Sequence, residues 1–279
     1  TPRIHGGSGA SSCSGEPALR LAGARASVCA MLPWYDRAFG PWYLKLYPHR
    51  DRGEADRALE ALAPFLPAAG PVLDLGCGSG RHLRGLGVRG LGVFGLDRSR
   101  TLLAAAAADG LLRGRLTHGD MRRLPFRGGT FSAVLSMFTS FGYFESAEVH
   151  LHLLAEMARV ARPGGALLLD YLNAPQLRTA LEPRTERVVG EGFRVTELRH
   201  IELEGGEERV VKEVAITEAG GGLVERYAES VALYDAPRLL EMLREAGWRE
   251  QALLGDYAGG PWSAASPRLI VVAGKVDDA

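Results

Sequence analysis

The sequence of 279 residues is long enough for one large or two small domains, and its 46% of hydrophobic residues supports a buried core. Lys and Arg together number 33, as do Asp and Glu, so the formal net charge of +0 disfavours nucleic acid as a partner. No apolar run approaches the length of a membrane span, and Cys13, Cys29 and Cys77 fit neither a disulfide framework nor a metal site, which predicts a reducing cytoplasm.

Residues 1–30 differ in composition from the rest of the chain. They are rich in Gly, Ala and Ser, and Glu16 is their single acidic residue. Such a composition is also found in transit peptides and linkers, but a disordered N-terminal extension is the simpler interpretation. We therefore predict that the folded domain occupies 31–279.

An aromatic segment follows between Trp34 and Tyr47. Tyr35, Phe39 and Tyr43 recur at four-residue spacing and would lie on one face of a helix. Aromatic stripes of this kind favour packing against a core.

From residue 54 onward, strand-like and helix-like segments alternate. This alternation predicts an α/β fold with a parallel sheet covered on both faces. The predicted helices lie near 54–66, 80–86, 99–108, 146–160 and 237–246, and the predicted strands lie near 71–75, 91–97, 114–118, 131–137, 165–171, 248–254 and 268–276.

The segment 175–234 interrupts this alternation between two core portions, 54–174 and 235–279. Strand-like pieces near 186–203, 208–217 and 223–233, separated by glycine-rich turns, predict an inserted antiparallel β meander. It leaves the sheet at the carboxyl end of the fifth strand, where ligands bind in open α/β sheets, so we predict a lid over the substrate. A fixed packing or dimerisation surface is the alternative.

Three glycines at alternate positions follow the first predicted strand, 71–75. Gly76, Gly78 and Gly80 remove side chains where a ligand could approach the backbone closely. Asp97 ends the second predicted strand and would lie beside the same loop, where a carboxylate suits the two hydroxyls of a ribose. The pattern predicts a nucleotide-like ligand.

The glycine spacing argues against a dinucleotide. A G-x-G-x-x-G motif starting at Gly76 and Gly78 would need glycine in place of Arg81. Such a motif does occur at 90–95, but it lies before and within the second predicted strand and does not open a helix.

The chain resembles the class I S-adenosylmethionine-dependent methyltransferases over 71–173, through DLGCGSG at 74–80, Asp97, GDM at 119–121 and RPGG at 162–165. The resemblance implies a Rossmann-like seven-stranded, mostly parallel sheet with helices on both faces and an antiparallel last strand. It also implies S-adenosyl-L-methionine as cofactor, S-adenosyl-L-homocysteine as product, and in-line methyl transfer to a small-molecule acceptor.

The resemblance also implies roles for particular residues. Asp74 and the glycines would surround the methionine moiety, Asp97 the ribose, and Asp120 with Met121 the adenine. Tyr35 is a candidate for cation–π contact with the sulfonium. The predicted cofactor-binding residues are Asp74, Gly76, Cys77, Gly78, Gly80, Asp97, Arg98, Asp120, Met121 and Phe138.

Candidates for contact with the acceptor follow the fourth and fifth strands. Tyr143 and Tyr171 are the catalytic candidates, because either could hydrogen-bond or deprotonate the acceptor, although a packing role is the alternative for both. His200 in the meander is a weaker candidate base. The remaining candidates are Ser136, Phe138, Thr139, Ser140, Phe141, Asp170 and Asn173.

The remaining histidines do not indicate a metal site, and other functions stay open. His150 and His152 are two residues apart and would point away from each other on a helix, so no metal site is predicted. His82 or Arg81 could reach the methionine end of the cofactor. A non-catalytic sensor or scaffold, a nucleic-acid or protein methyltransferase and a dinucleotide oxidoreductase stay as alternatives, and a monomer and a homodimer are both open.

Overall fold

The computed structural model describes residues 33–48 and 52–276, so the predicted extension at 1–30 lies outside the described residues. The strands are β1 (Pro71–Leu75), β2 (Gly92–Asp97), β3 (Leu116–His118), β4 (Phe131–Ser136), β5 (Ala161–Leu172), β6 (Arg184–Val189), β7 (Phe193–Glu204), β8 (Glu207–Thr217), β9 (Leu223–Ala232), β10 (Trp248–Leu254) and β11 (Arg268–Lys275). The helices are α1 (Trp34–Ala38), α2 (Tyr43–Leu46), α3 (Arg52–Leu62), α4 (Arg81–Val88), α5 (Arg100–Ala107), α6 (Ala147–Val160), α7 (Ala174–Ala180) and α8 (Ala236–Glu245).

Seven of the strands form one sheet in the order β10-β11-β5-β4-β1-β2-β3. β1 pairs in parallel with β2 and β4, and β4 with β5, whereas β11 runs antiparallel to both β5 and β10. The predicted seven-stranded, mostly parallel sheet with an antiparallel last strand is confirmed.

Helices cover both faces of this sheet. Along β1 the side chains alternate, so that Leu73 packs into a core shared with α6 and α8 while Val72 packs into a core shared with α3, α4 and α5. Both are fully buried, as a parallel strand between two helical layers requires.

Local signals set the ends of several helices. The Ser99 hydroxyl accepts a hydrogen bond from the Leu102 N–H (3.1 Å) and begins α5, and Ser146 caps α6 in the same way. Gly247 takes φ of 86° two residues after α8, which ends within one residue of its predicted end.

Four strands form a second, antiparallel sheet, sheet B, in the order β6-β7-β8-β9. The predicted meander is confirmed, but its first piece, 186–203, is two strands. Gly190 and Gly192 take φ of 54° and 97° and reverse the chain between β6 and β7. Helix α7 before β6 was not predicted.

The aromatic helices α1 and α2 pack against sheet B. Leu46 and Tyr47 share a buried cluster with Val195 and Val214, and the Trp42 and Phe193 ring centroids are 4.9 Å apart. Of the predicted stripe, Tyr43 packs beside this cluster, whereas Tyr35 packs against the core of the central sheet. Within the described residues no helix has the length and apolarity needed to cross a membrane.

Candidate functional site

The glycine loop after β1 is folded by left-handed backbone at three positions. Gly76, Gly78 and Gly80 take φ of 71°, 53° and 77°, which glycine adopts without a steric cost. The Leu96 carbonyl accepts hydrogen bonds from the Gly76 N–H (2.8 Å) and the Cys77 N–H (3.2 Å). The loop is thereby fixed to the end of β2 before α4 begins.

The loop has no room for a side chain at Gly76 or at Gly80. A Cβ at Gly76 would lie 2.7 Å from the Ser140 hydroxyl oxygen, and a Cβ at Gly80 would lie 2.5 Å from Leu112. The turn after β4, which carries Ser140, therefore packs directly on the glycine loop. Main-chain groups form this cradle, as the sequence predicts.

Asp97 lies beside the cradle at the end of β2. Its two carboxylate oxygens accept hydrogen bonds from the Gly78 N–H and the Ser99 N–H, both at 2.7 Å, and the residue is only 8% exposed. Burial raises the pKa of this carboxyl although the backbone donors oppose the shift. The geometry fits a carboxylate that is held in place and keeps lone pairs for ribose hydroxyls.

A buried pair, Asp74 and His82, flanks the cradle. They are 1% and 4% exposed, and the His82 Nδ1 lies 3.9 Å from the Asp74 Oδ2. Among the described residues, Asp74 Oδ2 and His82 Nε2 are buried polar atoms without a hydrogen-bond partner. An orphaned carboxylate oxygen beside a glycine cradle fits the cationic methionine end of the predicted cofactor.

Burial controls the charge of both side chains. It raises the pKa of Asp74 to about 8, with a contribution from nearby Asp97, and it lowers the pKa of His82 to about 3, with a contribution from Arg81. His82 is therefore neutral at neutral pH, and Asp74 stays largely protonated until a cation approaches.

We expect the raised pKa of Asp74 to make stability depend on pH. The folded protein retains a proton that the unfolded chain releases above about pH 4, so the unfolding free energy falls by up to about 1.4 kcal/mol per pH unit until about pH 8. Asp74→Asn removes this titration, so its unfolding free energy relative to the wild type should rise with pH. Urea unfolding at several pH values measures the difference, and a constant difference would contradict the raised pKa.

Two arginines pair with Asp120, the residue that is predicted to contact the adenine. The Arg122 Nη2 lies 2.7 Å and the Arg98 Nη1 lies 3.3 Å from the Asp120 Oδ2, and Arg98 also pairs with Asp36 of α1. Tyr35 lies beside this group, with the Arg98 guanidinium 5.4 Å from its ring centroid. Tyr35 therefore lies on the Asp120 side of the site, which does not support the predicted sulfonium contact.

The turn after β4 places Phe138 next to the residues that follow the glycine loop. The Arg81 guanidinium lies 3.8 Å from the Phe138 ring centroid, and the His82 ring lies 5.8 Å from it. Met121 reaches the same region, because its Cε lies 3.5 Å from the position of a Cβ on Gly76. The predicted cofactor residues at or after the ends of β1, β2, β3 and β4 thus lie together at the carboxyl ends of these strands.

The two tyrosines predicted as catalytic residues have different environments. Tyr171 is fully buried and its hydroxyl donates to the Ala232 carbonyl, and burial raises the pKa of its phenol. These contacts are those of a packing residue and give no support to the predicted base role. Tyr143 is half-buried and packs with Trp34 and Phe39, at centroid distances of 4.9 and 5.7 Å, so its role stays a prediction.

Other candidates serve the fold. Asn173 donates through Nδ2 to carbonyls in the loop at 263–266 and accepts from Trp262 Nε1 at 3.1 Å. His200 is about half exposed on β7, 3.4 Å from Glu202, which gives no support for a base role. His150 is buried, and its Nδ1 lies 2.8 Å from the Tyr234 hydroxyl.

The chain is similar to known proteins in both sequence and structure. Residues 72–165 match the sequence profile of a family described as a methyltransferase domain. The chain is 28% identical over 209 residues to dTDP-3-amino-3,4,6-trideoxy-alpha-D-glucopyranose N,N-dimethyltransferase from Streptomyces venezuelae, an alignment that covers 74% of this chain and 86% of the relative.

Solved structures are similar over most of the chain, and two of them are examples. Streptomyces venezuelae DesVI has a TM-score of 0.60 and 27% identity, with 84% of this chain and 97% of that chain covered. The sugar N-methyltransferase KedS8 from Streptoalloteichus sp has a TM-score of 0.64 at 23% identity, with 94% of this chain and 100% of that chain covered. At this identity the likeness shows that the two proteins share a fold.

Proposed function

We propose that this chain is a class I S-adenosylmethionine-dependent methyltransferase and that it methylates an amine nitrogen on a small, sugar-like acceptor. The observation that carries the cofactor assignment is the buried Asp97 carboxylate bonded to the left-handed glycine loop. The choice of an amine as the acceptor is supported by the relative from Streptomyces venezuelae, whose name specifies N,N-dimethylation of a 3-amino sugar nucleotide.

The residues around the loop have distinct tasks toward the cofactor. Asp97 would hold the ribose, Asp120 and Met121 the adenine, and Asp74 the cationic methionine end, whose charge favours the ionised carboxyl. Gly76, Cys77, Gly78 and Gly80 would supply main chain, and Arg98 and Phe138 would line the two ends of the site.

When bound, S-adenosylmethionine supplies an electrophilic methyl group on a sulfonium, which an amine lone pair takes as the S–C bond breaks. The protein has to hold the acceptor in line and exclude water, and such positioning contributes about 7–11 kcal/mol in favourable cases. A neutral amine needs no base during this step, and its proton leaves to water. Tyr143 is the residue that we propose to orient the acceptor.

Sheet B would form the acceptor side of the site. Its base is fixed to the loop after β4, where the Gly142 carbonyl accepts from the Ala232 N–H (2.8 Å), and to the start of α6, where the Ala147 N–H donates to Glu207 (2.9 Å). The buried Arg209 guanidinium also donates to the Phe144 carbonyl at 3.0 Å. These bonds oppose a hinge at the base, so we propose that 175–234 is a fixed wall and not a mobile lid.

Two measurements test the proposed function. Isothermal titration with S-adenosylhomocysteine, NAD and NADP in parallel should give micromolar binding of the first ligand alone. Mass spectrometry of amino sugars, and of matched sugars with a hydroxyl in place of the amine, should then show methylation of the amines only. Absence of S-adenosylhomocysteine binding would overturn the cofactor assignment. Methylation of the hydroxyl sugars would overturn the proposal that the acceptor atom is an amine nitrogen.

A further inference from the structure

A strained turn follows β4. Phe138 and Thr139 take φ of 54° and 61°, and in the described part of the chain they are the two non-glycine residues with left-handed backbone. This conformation is unfavourable for residues with a side chain, and most of all for a β-branched residue such as threonine. Strain of this kind persists only where surrounding contacts enforce it.

One buried residue, Asp170 at the end of β5, enforces this turn. The Phe138 N–H donates to its carboxylate at 2.8 Å, and the Thr139 N–H donates to its carbonyl at 3.0 Å. The Tyr257 hydroxyl and the Arg268 guanidinium donate to the same carboxylate. Asp170 is fully buried, so these charge-assisted bonds are protected from water.

Arg268 ties the network to the turn a second time. Its Nη2 donates to the Thr139 hydroxyl at 3.2 Å, and its guanidinium lies 5.3 Å from the Phe138 ring centroid. The Tyr257 ring lies 5.5 Å from the same centroid. The backbone and the ring of the strained turn are therefore both held by β5 and the last part of the chain.

The strained turn faces the glycine loop. Ser140 occupies the space beside Gly76 that a Cβ would need, and the Phe138 ring packs with Arg81 and His82 directly after the loop. This is the side of the loop that holds the Asp74 carboxyl, whose Oδ2 has no hydrogen-bond partner. The network thus shapes the wall of the cradle next to the proposed methionine end.

We propose that Asp170, Tyr257 and Arg268 are positioning residues that press the Phe138–Thr139 turn onto the glycine loop and so shape the subsite for the amino-acid end of the cofactor. All three lie outside the 72–165 segment that matches the methyltransferase domain. The inference rests on the proposed function, because it assigns part of the same cofactor site.

Tyr257→Phe tests the proposal by removing one donor to Asp170. Isothermal titration with S-adenosylhomocysteine and with 5′-methylthioadenosine, which lacks the amino-acid end, separates the subsites. We expect about tenfold weaker binding of S-adenosylhomocysteine and unchanged binding of 5′-methylthioadenosine. The matched control is Tyr234→Phe, which removes a hydroxyl bonded to His150 and Glu207 and should leave both affinities unchanged.

Thr139→Gly provides a second variant, because it removes the hydroxyl that Arg268 binds while glycine keeps the left-handed backbone without a steric cost. It should retain the wild-type melting temperature but bind S-adenosylhomocysteine several-fold more weakly, which a merely structural role would not produce. Unchanged S-adenosylhomocysteine affinity in both variants, or an equal loss for both ligands, would overturn the proposal. Failure of the wild-type protein to bind S-adenosylhomocysteine would instead overturn the proposed function.

Discussion

Asp97→Ala should bind S-adenosylhomocysteine at least tenfold more weakly than the wild-type protein. The change removes charge-assisted hydrogen bonds to the ribose, each worth about 1.5–3 kcal/mol, and a tenfold loss corresponds to about 1.4 kcal/mol. It also frees the N–H groups of Gly78 and Ser99, which the carboxylate holds in the wild-type loop. Isothermal titration measures the affinity directly.

A second aspartate provides the control for this prediction. Asp109 caps the short helix at 110–112 and pairs with Arg84, outside the cradle. Asp109→Ala should therefore lower the melting temperature and leave the affinity for S-adenosylhomocysteine unchanged. Wild-type affinity in Asp97→Ala would show that the ribose lies elsewhere.

Gly76→Ala should weaken cofactor binding strongly. Its Cβ would lie 2.7 Å from the Ser140 hydroxyl oxygen and 2.9 Å from the Ser140 Cβ, so either the glycine loop or the turn after β4 must move. Left-handed φ at this position adds a conformational penalty of about 1 kcal/mol. We expect at least a tenfold loss in S-adenosylhomocysteine affinity by titration, together with a lower melting temperature.

Gly90→Ala separates the clash from the conformational penalty. Gly90 has a similar φ of 85°, but a Cβ there would meet no atom within 4 Å. This variant should lose about the same stability from strain and bind S-adenosylhomocysteine normally. Equal affinities in the two variants would show that close contact at Gly76 is not needed for binding.

The sequence was sufficient to predict the central sheet and the glycine loop. Buried strands appear in the sequence as short apolar runs. The glycine spacing and Asp97 are local features at the ends of two adjacent strands. The hairpin at 190–192 was missed because both flanking strands continue the same β-rich pattern, so the two glycines alone marked the turn. Helix α7 was missed because it follows a strand directly and is short.

Roles that depend on distant partners were not predictable in the same way. Tyr171 follows a pattern typical of a strand end near a ligand, but its hydroxyl meets the Ala232 carbonyl, 61 residues away. Tyr257 and Arg268 carry no local motif, and they join Asp170 only because β11 returns antiparallel to β5.

The sequence by itself therefore determined the fold class, the cofactor loop and the acidic residue beside it, because short-range periodicity and glycine conformational freedom are properties of the local chain. Only the tertiary structure decided which polar side chains are buried and paired. Burial and pairing arise when strands and loops far apart in sequence meet, and these contacts determine the protonation of Asp74, the packing role of Tyr171 and the strain at Thr139.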